Sequence, residues 1–158
     1  VCLAIPDKRY TFDYLRRLTT MAELIDAYMN KFRRPNTRQI YDFYSNAVKI
    51  DLFEAWDGRV NIENCERFAS AEKALEYCRK SLEDGAYVDV HCSVFTADSF
   101  VELLRELFSL NLLNFRVAKF FKPETYSVEF IVVLEKLPEF DDLNEKKKIQ
   151  LSSLPDIE

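Results

Sequence analysis

Glycine is nearly absent: the 158 residues contain two, Gly58 and Gly85. A phosphate-cradling loop needs several glycines close together, so this chain cannot build one. Histidine is rarer still, with His91 alone. The four cysteines, Cys2, Cys65, Cys78 and Cys92, show no C-x-x-C spacing, which argues against a zinc site and against a disulfide framework. They read as small hydrophobes in a reducing compartment, so a cytoplasmic location and no metal are expected. No apolar run approaches the roughly 18 to 20 residues of a membrane span, and no membrane partner is expected. Positive charge is also short, with 22 Lys/Arg against 27 Asp/Glu and a net charge of −5. That disfavours a general nucleic-acid binder, whose affinity rests on neutralising phosphates.

What is present is apolar and aromatic: 48% hydrophobic residues and thirteen phenylalanines, enough for one domain with a core that needs no disulfide or metal. The charge is uneven. Residues 1–50 carry nine Lys/Arg against five Asp/Glu, which leaves thirteen of the 22 and twenty-two of the 27 for residues 51–158. Lys31, Arg33, Arg34 and Arg38 form the densest basic cluster, read either as a clamp for an anionic group such as a phosphate or carboxylate or as a solvated helix end. The opening run Val1 to Ile5 stops at Pro6 and leads into Asp7, Lys8, Arg9, Tyr10 and Asp13. A buried strand that delivers charged groups at its carboxyl end has this pattern, and open α/β sheets place ligands there. Because Val1 lies inside a strand-like run, a piece of a longer chain is expected.

Farther along, Thr20-Met-Ala-Glu23 matches a capping box, with Met21, Leu24, Ile25 and Tyr28 at helical spacing, so a helix is predicted over about 20 to 32. Asn36 with Gln39 caps a second, carrying Ile40, Phe43, Tyr44, Ala47 and Val48 to about 50. Residues 51–68 have weak periodicity and read as an irregular excursion. Ser70 caps a third helix with Ala71, Ala74, Leu75, Cys78 and Leu82 as its buried stripe, ended by Asp84-Gly85. Tyr87 to Phe95 alternates like an extended segment. Thr96 caps a helix with Phe100, Leu103, Leu104, Leu107 and Phe108 on one face. Phe115–Phe121 and Tyr126–Leu134 are predicted strands, joined through Lys122–Thr125 into an antiparallel hairpin whose last strand is apolar, and so covered, on both faces. Residues 137–158 lack a core pattern and are expected to be loose or disordered.

In this order, the pieces resemble the carboxyl-terminal half of a class I S-adenosylmethionine-dependent methyltransferase. Leu3-Ala4-Ile5-Pro6 resembles its fifth sheet strand, and His91-Cys92-Ser93-Val94-Phe95-Thr96-Ala97-Asp98-Ser99-Phe100 resembles the H-x-x-x-F-[ST]-x-x-[SL]-[FL] approach to the following helix. Leu110-Asn111-Leu112-Leu113 stands where relatives carry an A-G-F turn, before the terminal hairpin with its reversed strand. The resemblance covers residues 1–136. It implies an α/β fold: a partial Rossmann-like methyltransferase sheet, one strand plus a terminal antiparallel hairpin, with a large helical insert over 20–84. It also implies S-adenosyl-L-methionine as cofactor. The family's glycine-rich loop and following acidic residue have no match here, so the chain is not expected to bind the cofactor or to act alone.

On this resemblance, the loop after the opening strand and the insert face a small or glycan-linked methyl acceptor. His91 is the natural general base, since histidine ordinarily titrates near neutral pH, and Asp89, on the same face of an extended segment, is placed to orient its ring. The alternative for a lone histidine is a structural hydrogen bond. Asp7, Lys8, Arg9, Tyr10, Asp13, Tyr28, Arg33 and Arg34 are the candidate substrate-binding residues, with Asp26 and Trp56 behind them. A surface turn and ordinary helix packing are their structural alternatives. Two other functions remain open: an interaction module that keeps part of this fold without catalysis, and a different α/β enzyme built on His91 and Asp89. Expected partners are the acceptor and either the missing amino-terminal half or a second copy.

Overall fold

The computed structural model describes residues 1–156. It is a mixed α/β structure that divides into two compact units, one formed by Val1–Asp7 with the chain from Phe95 onward, the other by Lys8–Val94. Among the described residues no helix is long and apolar enough to cross a membrane.

The first unit is built on a three-stranded sheet of β1 (Cys2–Pro6), β2 (Phe115–Phe121) and β3 (Glu129–Lys136), in the order β1-β3-β2. Both pairings are antiparallel, with Leu3 opposite Val132 and Ile5 opposite Phe130 on one side of β3 and Val117 opposite Leu134 on the other. The period-2 alternation of β3 buries Phe130, Val132 and Leu134. Ile131 and Val133 are half-buried, so the second face is only partly covered, less than its apolar residues predict. The strand also starts at Glu129 rather than Tyr126, because Tyr126 takes a left-handed backbone (φ 64°) that ends the hairpin turn. A register shift between Val117 and Lys119 breaks the alternation of β2. That bulge lets both Val117 and Phe120 join the core.

Helix α5 (Ala97–Ser109) presents Leu104 and Phe108 to this core. It is capped by Thr96 and Ser99 in a reciprocal box, and its Ala97 N–H also donates to Asp7 Oδ2 at 3.0 Å. Asp7 is fully buried. Its carboxylate at a helix N-terminus is favourably placed against the helix dipole.

The expected loose tail is corrected by the structure. Leu143–Ser152 forms the helix α6, and Leu151 and Leu154 pack on the sheet core. Gln150 Nε2 donates to the carbonyls of Leu113 and Phe115 at 3.0 and 2.8 Å, while Ser153 Oγ accepts from Val117 N–H at 3.0 Å. Residues 157–158 of the expected tail lie outside the described residues.

The second unit holds α1 (Met21–Met29), α2 (Thr37–Asn46), α3 (Leu52–Trp56) and α4 (Ala71–Glu83), with 3-10 turns at Lys8–Tyr10 and Ile62–Asn64. The unit therefore reaches past both ends of the predicted insert. Its core gathers Ile40, Phe43 and Ala47 of the α2 region with Cys78 of α4 and Val90, and Phe12, Tyr44, Tyr77 and Val88 pack around them. The predicted stripe of α4 is displaced: Ala74, Cys78 and Ser81 are buried, whereas Leu82 is 70% exposed. Residues 87–94, expected to be an extended segment, form no strand ladder. Their backbone is instead held by Thr19, whose N–H donates to Val94 O and whose Oγ1 accepts from Val94 N–H, both at 2.9 Å, and by Gln39 Nε2 on Cys92 O.

Candidate functional site

The site begins in the irregular turn that follows Tyr10. Tyr14 N–H donates to Thr11 O and Arg16 N–H to Asp13 O, at 3.0 and 2.8 Å, so the chain winds tightly and brings Asp13 and Arg16, three residues apart, together. Arg16 Nη1 donates to Asp13 Oδ1 at 2.7 Å, Nε to Asp42 Oδ2 at 2.8 Å and Nη2 to the His91 carbonyl at 2.9 Å. Arg16 and Asp13 are each 2% exposed. Charges buried this deeply persist when each is paired and hydrogen-bonded, as here. Asp42, on α2, is steadied by Asn46, whose Nδ2 donates to Oδ1 at 2.9 Å.

The second oxygen of Asp13 meets His91. Asp13 Oδ2 lies 2.7 Å from His91 Nδ1, and the imidazole rests 4.7 Å from the Phe12 ring, between centroids. Asp13 Oδ1 already accepts from Arg16 Nη1, and with Oδ2 accepting in the same way the donor in this contact is His91 Nδ1. In the neutral ring Nε2 then carries the lone pair. Nε2 has no hydrogen-bond partner among the described residues, and the His91 side chain keeps 39% of its surface exposed. This is the arrangement by which a carboxylate fixes an imidazole's tautomer and stabilises the imidazolium formed when it takes a proton.

The neighbours limit what this base can serve. Burial pushes the Cys92 thiol up; Arg16 pulls it down and Asp89 pushes it up again, with a net rise. Cys92 is thus a thiol rather than an activated thiolate. Among the described residues no three His, Cys, Asp or Glu side chains converge as a metal-binding set. The residues do not fit S-adenosylmethionine either: Gly58 and Gly85 occupy separate turns at φ 66° and 61°, and no glycine-rich loop follows a strand.

The structure distributes the predicted residues among several roles. Asp89 is not the partner on Nδ1. It is exposed, and its charge instead adds to the burial and the Tyr77 interaction that push the Tyr44 phenol up. Asp7 is the buried cap of α5 rather than an open substrate contact. Lys8 Nζ donates to the Arg16 carbonyl. Arg9 lies over the Tyr10 ring, and Tyr10 stacks on Trp56 with centroids 3.9 Å apart and planes 1° from parallel. Asp26 accepts from Asn30 Nδ2. Tyr28 is 63% exposed on α1. Arg33 and Arg34 line a cleft of about 510 Å³ with Lys31, whereas Arg38 leaves that group to pair with Glu23 on the wall of a smaller cleft, about 230 Å³, shared with Arg16 and Asp42.

Arg16 and Asp42 are the members of the cluster that the sequence did not announce. The Asp13-x-x-Arg16 spacing was a readable signal for one pair, since opposite charges three apart meet on a helical turn. Nothing local pointed to Asp42 or to the 78-residue separation between Asp13 and His91. No protein-family model matches the chain, no curated protein matches it, and no solved structure matches it.

Proposed function

We propose that this chain is the acceptor-side part of an S-adenosylmethionine-dependent methyltransferase, acting on a small or glycan-linked acceptor, with His91 as its general base. The observation that carries the reading is the 2.7 Å contact between His91 Nδ1 and a buried Asp13 on a histidine whose side chain is 39% exposed. His91 Nε2 accepts the proton of the acceptor hydroxyl as its O–H bond breaks, Asp13 stabilises the imidazolium, and Arg16 holds Asp13 in place. The sheet lends support of a second kind, because β2 and β3 pair as an antiparallel hairpin and β3 also runs opposite to β1, in keeping with a terminal hairpin that has a reversed strand. The methyl donor's site is not among these residues, so no step through it is drawn. A strand-bearing amino-terminal half or a second copy is the proposed partner.

Two measurements test the reading. Calorimetry of S-adenosylmethionine against the 158-residue chain should show no binding; sub-millimolar affinity would contradict the assignment of the donor site elsewhere. In the complete enzyme, His91→Ala should lower turnover by roughly 100-fold or more. An unchanged rate would remove His91 as the base.

A further inference from the structure

We infer that the cleft between the end of α1, the start of α2 and the end of α4 binds a phosphate-bearing small molecule, its anionic group held by Lys31, Arg33 and Arg34. The inference rests on the acceptor-side reading and names the chemical class of the acceptor. The cleft has a volume of about 510 Å³, and its walls carry those three cations with no carboxylate among them. Lys31 and Arg33 have no ion-pair partner among the described residues, and Arg34 is committed only to the Gly85 carbonyl, at 2.8 Å. By contrast, the neighbouring cation Arg38 is neutralised by Glu23. In a chain of net charge −5, three cations around one cavity without a counter-charge repel one another and favour an anion placed among them.

The backbone supplies a separate observation. Lys31 sits at the left-handed end of α1 with φ 51°, where its N–H donates to Tyr28 O and the next, that of Phe32, to Ala27 O. Glycine is the residue that takes this conformation without cost, and a lysine there is strained. Strain kept at a cleft is a pointer to use. Three cationic groups suit a phosphate dianion, which offers three strong acceptor oxygens, better than a carboxylate with two. Phe32 and the exposed Leu82 add apolar wall, and a second depression of about 530 Å³ shares Lys31, Phe32 and Arg33 and adds Tyr28 and Met29. There is room for a ring or apolar body beside the phosphate.

The test is a nuclear magnetic resonance titration of the chain with phenyl phosphate at constant ionic strength, with benzoate in parallel. Saturable shifts confined to 30–37 and 81–82 are expected, with affinity reduced about tenfold or more by Arg33→Ala. Lys31→Gly should lower affinity while leaving the melting temperature equal or higher. No saturable response at millimolar phenyl phosphate, an equal response in Arg33→Ala, or equal affinity for benzoate would overturn the inference. Affinity unchanged in Lys31→Gly would overturn the use assigned to Lys31. The titration requires no methyl transfer: if it succeeds while His91→Ala leaves turnover intact, the catalytic reading fails and the anion site stands, and the reverse pattern removes the site alone.

Discussion

At the scale of single residues, the second unit depends on how a few charges are shared. Arg16 spends its donors on two carboxylates and a carbonyl. Such a buried network contributes little net stability against an apolar replacement, yet losing one partner strands a charge. Its gain is geometric, since it fixes Asp13 and the His91 backbone relative to each other. Glu23 shows the opposite case, a charge at the surface with a simple linkage to pH. Burial raises its pKa, but the Thr20 N–H and the Arg38 guanidinium outweigh that and hold the carboxyl below the usual range. A carboxyl lowered in the folded state contributes stability above its unfolded pKa, about 4.3 for glutamate, and loses it as pH falls through the folded value. The first turn of α1 should therefore loosen in acid, as pH falls from the unfolded value through the lowered folded one. Amide exchange across 21–24 should accelerate there in the parent chain, while Glu23→Gln should show a weaker dependence; identical pH profiles would remove Glu23 from the cap.

At the scale of elements, helix starts were legible in the sequence and their docking was not. Thr20, Asn36, Ser70 and Thr96 all cap the helices their side chains predict, because a cap is decided within three residues. Burial depends on partners far along the chain, so helical spacing places Leu82 on a stripe that the fold leaves exposed, and nothing local in 143–152 predicts the helix α6. Its sequence has no apolar stripe, and its anchor is polar: Gln150 is fully buried and donates to the carbonyls of Leu113, just before β2, and Phe115, the first residue of β2. The same limit hid the candidate site, where His91 was readable as a base but its carboxylate lay in a distant turn. Replacing Gln150 by Leu, close to it in volume, leaves the carbonyls of Leu113 and Phe115 without their donor. That should cost about 1–3 kcal/mol, read as a lower midpoint in urea denaturation. An unchanged midpoint would mean that α6 does not contribute to the fold through this anchor.

At the scale of the whole molecule, the open question is what covers the outer edge of β1. Val1 and Leu134 exchange hydrogen bonds in both directions at 2.8 Å, and Asp7 N–H reaches Val128 O at 2.8 Å. The antiparallel alternation then turns the backbone groups of Val1, Leu3, Ile5 and Asp7 toward β3 and those of Cys2 and Ala4 outward. Pro6 fits the same alternation, since its nitrogen, which has no proton to donate, faces away from the ladder. The outward groups of Cys2 and Ala4 form a short template for another strand. If that template is used, small-angle scattering of the chain should show concentration-dependent self-association. Ala4→Pro should abolish it without unfolding the sheet, because the N–H it removes is not bonded to β3. A parent chain that stays monomeric at every concentration would sink the self-pairing prediction. Association that persists in Ala4→Pro would place the contact on another surface, for which the exposed Tyr28, Met29 and Leu82 are the first residues to substitute.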